Sequence, residues 1–493
     1  AHARDGDVQK ARCFYTINDI DGIMPKDSEK WAEALENLSR LFLEAGKPEM
    51  AGKIFHKLGG FMLSTQRELS EARASIGLMT ILHLLENDNA DPALELFSEL
   101  SKMGNVRAVS AMKARAALAL IEHLSKRGYV GIAETMLSSL REYPRTQEIM
   151  ALEGRAASVL MGHLEEDHEV AIKIYENYLP LADSNEYSKR LGKLAANVIL
   201  ILVNARETER ASAFFEKFSA TTDLKAVPKE SLADLASVLA NLAVAHTESG
   251  NLKNALRVLR VLEGDAFRFN HAEEIRALLS VNLVGACCAN GMIGEAERIH
   301  DSIDAGDRPN APGNPVVKRQ KARAAVNIAA SLMMNGLDRK AERILDEMKA
   351  LREKHDIGDE LAKAAANSVI ILAERGSPEE ALKHLRTLED QGEEKTKELH
   401  RPKALAHLAA SYAKLGKIEE SMRHYAVLEN EFRDFKHSPF RFFAASALLK
   451  ALNEARDHAR ARTVVDNLMD FHKSNNREIS PEIMRFMETP LDG

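Results

Sequence analysis

Cysteine is nearly absent from this chain. Cys13, Cys287 and Cys288 are the whole complement, and two of them are sequence neighbours that rarely pair. No disulfide framework is implied. Glycine and proline are sparse, 26 and 14 in 493 residues, and aromatics reach only 5%. That shortage excludes a turn-rich sheet protein and suits helices, with Ala, Leu, Glu, Lys and Arg filling the space. No apolar run approaches the roughly 18 residues of a membrane span. A surplus of positive charge is also missing: 67 bases stand against 74 acids, a net charge of −7, so the basic footprint of a nucleic-acid binder is absent. No glycine-rich phosphate loop, GxSxG or HExxH occurs. The expectation is a non-enzymatic chain with no cofactor and no metal.

What is present is a repeat. In Lys403–Glu429 (KALAHLAASYAKLGKIEESMRHYAVLE), Leu405, Leu408, Ala409 and Tyr412 lie on one helical face, and Gly416 breaks the run. Ser421, Tyr425 and Leu428 mark a second helix. Such a hairpin cannot bury its apolar faces alone. A small residue opens each second helix: Ala11, Ala51, Ala93, Ala133, Ala171, Ala211, Ala255, Ala296, Ala341, Ala381, Ser421 and Ala461. The steps between these anchors are close to 40 residues, the signature of a solenoid. Five residues before most anchors stands a glycine, where the turn wants φ > 0. Asp88, Glu166, Arg206 and Arg456 occupy that slot in four hairpins, which predicts differently built turns there. Four residues after the anchor comes a large apolar side chain, such as Phe55, Tyr175 or Leu259. His300 interrupts this series, and Ile299 is expected to take its core role.

The block resembles the tetratricopeptide repeat (TPR), on Leu405, Leu408, Ala409, Tyr412, Gly416, Ser421, Tyr425 and Leu428, and again on Leu239, Leu242, Ala243, Gly250, Ala255, Leu259 and Leu262. The likeness covers nearly the whole chain. It departs from the family in its period, near 40 rather than 34, and in usually lacking the terminal proline. The expected fold is all-α: a TPR-like superhelical solenoid of about eleven helical hairpins plus a partial first one, right-handed if the resemblance holds.

Along the chain, residues 1–304 read as TPR-like repeats, with Gly6, Ala11 and Tyr15 suggesting that the first hairpin is only half present. Residues 305–317 (AGDRPNAPGNPVV) form a Pro/Gly-rich connection that cannot continue a helix. Residues 318–473 resume the repeats. Residues 474–493 form a tail in which Pro481–Met487 is expected to cap the last apolar face.

Chemical candidates are few. His163 and His168 flank three acids, yet five residues turn a helix too far for one clean metal site. Cys287–Cys288 reads as two buried small hydrophobes, and His246 as a packed core histidine. Gln391–Glu398 (QGEEKTKE) reads as a solvated loop or helix face. One polar pattern stands out. Fourteen residues before the anchor Asn recurs at Asn37, Asn197, Asn241, Asn282, Asn327 and Asn367, and one turn earlier a base appears at Arg115, Lys193, Arg323, Lys363 and Lys403. Resemblance to the TPR family puts these first-helix positions on the concave groove. Lys193, Asn197, Asn241, Arg323, Asn327, Lys363, Asn367 and Lys403 are therefore the expected partner-binding residues, the base as charged donor and the amide as donor and acceptor. The competing reading is that each Asn bonds to the neighbouring repeat. The full Lys/Asn set of carboxylate-clamping TPR domains is missing, so that ligand is not expected. Leu78, Leu82, Leu118, Leu160, Leu200, Val203, Leu278, Val281, Val326, Met333, Met334 and Ile370 make the remaining groove positions apolar.

The functional expectation is a protein–protein interaction scaffold holding a peptide or protein segment in its groove. It would bind no nucleic acid and insert into no membrane, with self-association left open. Two alternatives stand beside it: a ligand- or peptide-sensing regulatory module, and the soluble arm of a secretion or polysaccharide-export assembly. The expected compartment is the cytoplasm, with a periplasmic or secreted arm as the alternative.

Overall fold

The computed structural model describes residues 28–59, 67–164, 167–179, 185–303, 314–353, 355–391 and 393–475. The half hairpin expected before residue 28, the capping helix of the tail and most of the Pro/Gly-rich connection lie outside the described residues. Among the described residues there are 22 α-helices and no strand, alternating as first and second helices. They are α1 (Ser28–Glu44) with α2 (Pro48–Gly59), α3 (Arg67–Glu86) with α4 (Ala90–Ser101), α5 (Arg107–Lys126) with α6 (Val130–Ser139), and α7 (Gln147–Met161) with α8 (His168–Tyr178). Next come α9 (Asn185–Asn204) with α10 (Thr208–Thr221), then α11 (Lys229–Glu248) and α12 (Leu252–Leu262), and α13 (Asn270–Ala289) with α14 (Ile293–Ser302). The series closes with α15 (Pro315–Met334) and α16 (Asp338–Arg352), α17 (Gly358–Glu374) and α18 (Pro378–Gln391), α19 (Glu394–Lys414) and α20 (Ile418–Glu431), α21 (Ser438–Glu454) and α22 (His458–Ser474). The chain divides into two compact units, Ala1–Ala245 and His246–Gly493, and each is a stack of paired helices.

The turns between first and second helices that lie wholly within the described residues share one geometry. After α1, Gly46 sits at φ 67°, its N–H donates to the Leu43 carbonyl at 2.9 Å, and Lys47 N–H donates to the Phe42 carbonyl at 2.8 Å. This paired 5→2 and 6→1 arrangement satisfies carbonyls that a helix end leaves open. The expectation of different turns at the glycine-free slots is corrected at three of them. Asp88, Arg206 and Arg456 adopt φ of 65°, 61° and 53° and make the same two bonds. The hydrogen-bond pattern and the packing behind it override the residue's own aversion to the left-handed region. Glu166 lies outside the described residues.

The anchors behave as their size demands. All eleven from Ala51 to Ala461 are fully buried, Ser421 included, whose hydroxyl donates to the Ala409 carbonyl at 2.8 Å. A methyl there lets two helices approach closely; a longer side chain would overpack. His300 is itself buried beside fully buried Ile299, so the aromatic slot stays filled. At the last anchor Val464 is fully buried and Val465, four residues on from Ala461, packs half-buried against the same core. The surplus over a 34-residue period goes with long first helices, most of them near 20 residues, or about 30 Å.

Within each unit, consecutive first helices pack directly on one another, as α3 does on α5 and α17 on α19, while consecutive second helices touch little. Alanine explains the closeness: Ala362, Ala365, Ala366, Ala404, Ala406 and Ala409 all sit in one core cluster with Leu405, Leu408 and Tyr425. The second helices are joined instead by long exposed ion pairs between neighbouring repeats, such as Lys173–Glu134 at 2.8 Å, Arg210–Glu169 at 2.7 Å and Lys340–Glu297 at 3.2 Å.

A base twenty residues before the anchor forms a structural column that the groove pattern overshadowed. Lys113 is fully buried; its ammonium donates to the carbonyls of Ser101 (2.9 Å) and Met103 and to Asn105 Oδ1 (3.1 Å), and lies 5.5 Å from the Tyr143 ring. It thus closes the C-terminal end of α4. In the same column, Arg73 covers Phe55 at 4.5 Å, Arg401 covers Phe432 at 5.6 Å and Arg441 covers Phe471 at 3.9 Å, while Arg276 donates to the Ile303 carbonyl at 3.4 Å. The spacing was visible in the sequence, but nothing local told these bases from exposed ones.

Candidate functional site

In the second unit the first helices α13, α15, α17 and α19 line a groove of about 410 Å³. Helix α15 contributes Arg319, Arg323, Val326 and Asn327, α17 contributes Asp359, Glu360 and Lys363, α19 contributes Thr396 and His400, and α13 contributes Val281. Arg319 and Arg323 are four apart and so share one helical face. The same offset links each base to its Asn. Three of the expected binding residues, Arg323, Asn327 and Lys363, thus meet in one place, from two repeats.

Two features of the groove come from outside the sequence pattern. First, Glu360 in the opening turn of α17 is buried, and its Oε1 accepts from Arg319 Nε at 2.8 Å and from Arg323 Nε at 3.3 Å. The carboxylate holds the Arg319 guanidinium above its ordinary pKa through that bond and its charge. Second, Gln391–Glu398 is a solvated helix face from Glu394 onward: α19 begins there and runs through Pro402. Proline lacks the N–H that would bond four residues back, which makes it a poor interior residue, yet here it is buried in the stack. The extra helix brings Thr396 to Asp359, hydroxyl to Oδ1 at 2.5 Å, and places His400 on the groove wall. Burial, with Lys363 and Lys403 beside it, lowers the His400 pKa.

The other expected residues have mixed surroundings. Lys403 is exposed on α19, one turn beyond His400, and Asn367 is half-buried on α17 one turn beyond Lys363. Half-buried Asn197 donates to the Ser158 carbonyl of the preceding repeat at 3.2 Å, and exposed Lys193 stands 3.9 Å from Asp234. Asn241 is exposed on α11. Of the apolar groove positions, Leu82, Leu278 and Met334 are exposed, at 40%, 52% and 65%, while Leu118, Leu160, Val326 and Met333 are buried. The wall is therefore a mosaic, because neighbouring first helices cover some aliphatics and leave others open.

The remaining candidates are structural in setting. His168 Nε2 lies 3.5 Å from Glu207 and from Glu169. Burial pushes the Cys287 thiol up to about 11 and raises that of Cys288, which keeps both as unreactive thiols at neutral pH. His246 is fully buried. A second cavity of about 320 Å³ is lined by His300, Lys321, Ile344, Glu347, Met348 and Leu351. Among the described residues no cluster of three or more His, Cys, Asp or Glu has metal-holding geometry, and no helix is long and apolar enough to cross a membrane.

Comparison with known proteins finds no matching family model and no matching curated protein. Among solved structures, the APC/C hetero-tetramer Cut9–Hcn1 aligns over 99% of this chain and 95% of its own at 13% identity, with a TM-score of 0.30. IFIT1, as a monomeric mutant with m7Gppp-AAAA, aligns over 95% and 100% at 14% identity and 0.25. A circular tandem repeat protein aligns over 98% of both chains at 15% identity and 0.19. None superimposes closely, and no residue role transfers from them.

Proposed function

We propose that the chain is a non-enzymatic scaffold that holds a protein segment against the first helices of its second unit. One observation carries the reading: Arg323, Asn327 and Lys363, three members of a repeating polar pattern, line one groove with Val281 and Val326. Charged donors, an amide and aliphatic wall together suit a segment with a polar backbone and alternating side chains. The fold supports the same direction, since a hairpin stack offers an extended face rather than a closed catalytic pocket. Unpaired Cys287 and Cys288 fit a cytoplasmic setting.

The test is affinity for a purified partner. Lys363→Ala with Asn367→Ala is expected to weaken binding about tenfold or more, with folding intact by circular dichroism. Wild-type affinity in that variant and in Val281→Ser would overturn the proposal. A second reading, a small-ligand sensor, draws on the groove's 410 Å³, which lies in the size range of small-molecule sites. Compaction in small-angle scattering on adding a metabolite, with no peptide bound, would favour it.

A further inference from the structure

The groove contains a device that a generic polar wall does not need. Glu360 is 6% exposed and uses one oxygen, Oε1, for both Arg319 and Arg323. Each arginine meets it through Nε, the edge nearest its own stem, so the terminal amino groups of both guanidiniums are left for other partners. The two arginine side chains are about half exposed, 48% and 46%. The second carboxylate oxygen, Oε2, is buried and has no hydrogen-bond partner among the described residues.

The geometry points to Glu360 as a positioning residue: it fixes Arg319 and Arg323 as a two-guanidinium fork that reads one oxyanion-bearing side chain of the bound segment. This rests on the reading of the groove as a segment-binding site. Guanidinium forks match the planar or tetrahedral oxyanion of a carboxylate or phosphoryl group, and a fork already held in place loses less side-chain freedom on binding. Lys363, on the same wall, adds a third cation. Asp359 is already engaged by Thr396, so it competes little for the arginines.

The sign of one substitution separates this from plain charge. A carboxylate near an anion site repels the anion, so if Glu360 were only a neighbouring charge, Glu360→Gln would tighten binding. As a positioning residue, its loss weakens binding, because the arginines keep their charge and lose their orientation.

The experiment uses the full chain and three fluorescein-labelled nonapeptides of Gly and Leu that differ only in one central residue: Glu, phosphoserine or Gln. Fluorescence polarisation at fixed ionic strength is expected to show the Glu or the phosphoserine peptide bound about tenfold tighter than the Gln peptide. Which of the two leads tells whether the oxyanion is a carboxylate or a phosphoryl group. Glu360→Gln should cut that preference about fivefold, and Arg319→Lys, which keeps charge but not the fork, should do the same. Circular dichroism melts confirm that both variants fold. Tighter oxyanion binding in Glu360→Gln, or an unchanged preference in Arg319→Lys, overturns the fork. Equal binding of all three peptides, still lost in Lys363→Ala, also overturns it while leaving the segment-binding reading intact. No binding of any peptide up to about 1 mM removes both.

Discussion

The same base–amide pair has two fates in the two units. In the first unit Lys193 faces Asp234, and Asn197 gives its amide to the Ser158 carbonyl of the repeat before it. In the second, Arg323, Asn327 and Lys363 line a groove, and Arg323 is held by a buried carboxylate from the next repeat. A recurring sequence pattern therefore marks a position, and the neighbouring repeat decides the use. Where the next first helix brings Asp234, the base has an exposed partner; where it brings Glu360, two arginines are gathered over one buried acid.

The sharpest way to break this comparison is to attack a buried base of the first unit. Lys113→Ala strands the carbonyls of Ser101 and Met103 and opens a cavity. It should cost about 3 kcal/mol. The single tryptophan, Trp31 on α1, reports that unit, so urea titrations followed by its fluorescence should show the loss. Arg323→Ala in the groove should cost less than about 1 kcal/mol in stability, and a large loss there would make the groove structural too. Next in size is binding. Arg323→Ala with Lys363→Ala should weaken a groove partner about tenfold, or 1.4 kcal/mol, whereas Lys193→Ala with Asn197→Ala should change it less than about twofold.

A smaller effect follows from pH. Burial lowers the pKa of His300, His384, His400, His407, His424 and His437, all in the second unit. The unfolded chain then binds more protons than the folded one, so stability is full above the unfolded histidine pKa of about 6.5 and is lost as pH falls below it towards the folded values. Between pH 7 and pH 5 the circular dichroism melting temperature should drop by a few degrees or more; an unchanged or rising value would contradict the burial of these rings. The smallest effect is at the turns. Arg206→Gly should stabilise by about 0.5–1 kcal/mol, since glycine takes φ 61° without strain, and Gly250→Ala should destabilise by about 1 kcal/mol. Equal and opposite chemical-denaturation shifts would show that both units use one turn.

Much of the fold was legible because its signals are local. The buried anchors, the glycine turns and the near-40-residue step depend on one hairpin and its immediate neighbour. The non-glycine turns were misread because their geometry is imposed by two backbone bonds and the packing behind them, not by residue 88, 206 or 456. The groove was only half legible. Arg323, Asn327 and Lys363 follow the repeat, but Glu360 and Thr396 do not, and Pro402 hid the extra helix that delivers Thr396. Charges that act across repeats, such as Lys113 on the end of α4, have no local signature, since a buried lysine and an exposed one look alike in a string of letters.

The contrast between tightly packed first helices and ion-paired second helices has a mechanical consequence. Inside each unit the first helices pack along one edge like the pages of a book, while second helices meet the next repeat through that repeat's first helix, through ion pairs and, at Tyr175 on Phe214, through rings 4.8 Å apart. Added salt weakens those long pairs and leaves the alanine-lined spine unaffected. Salt therefore loosens the charged part of the outer edge alone, and the packing of second helices on the next first helix limits how far that edge can fan.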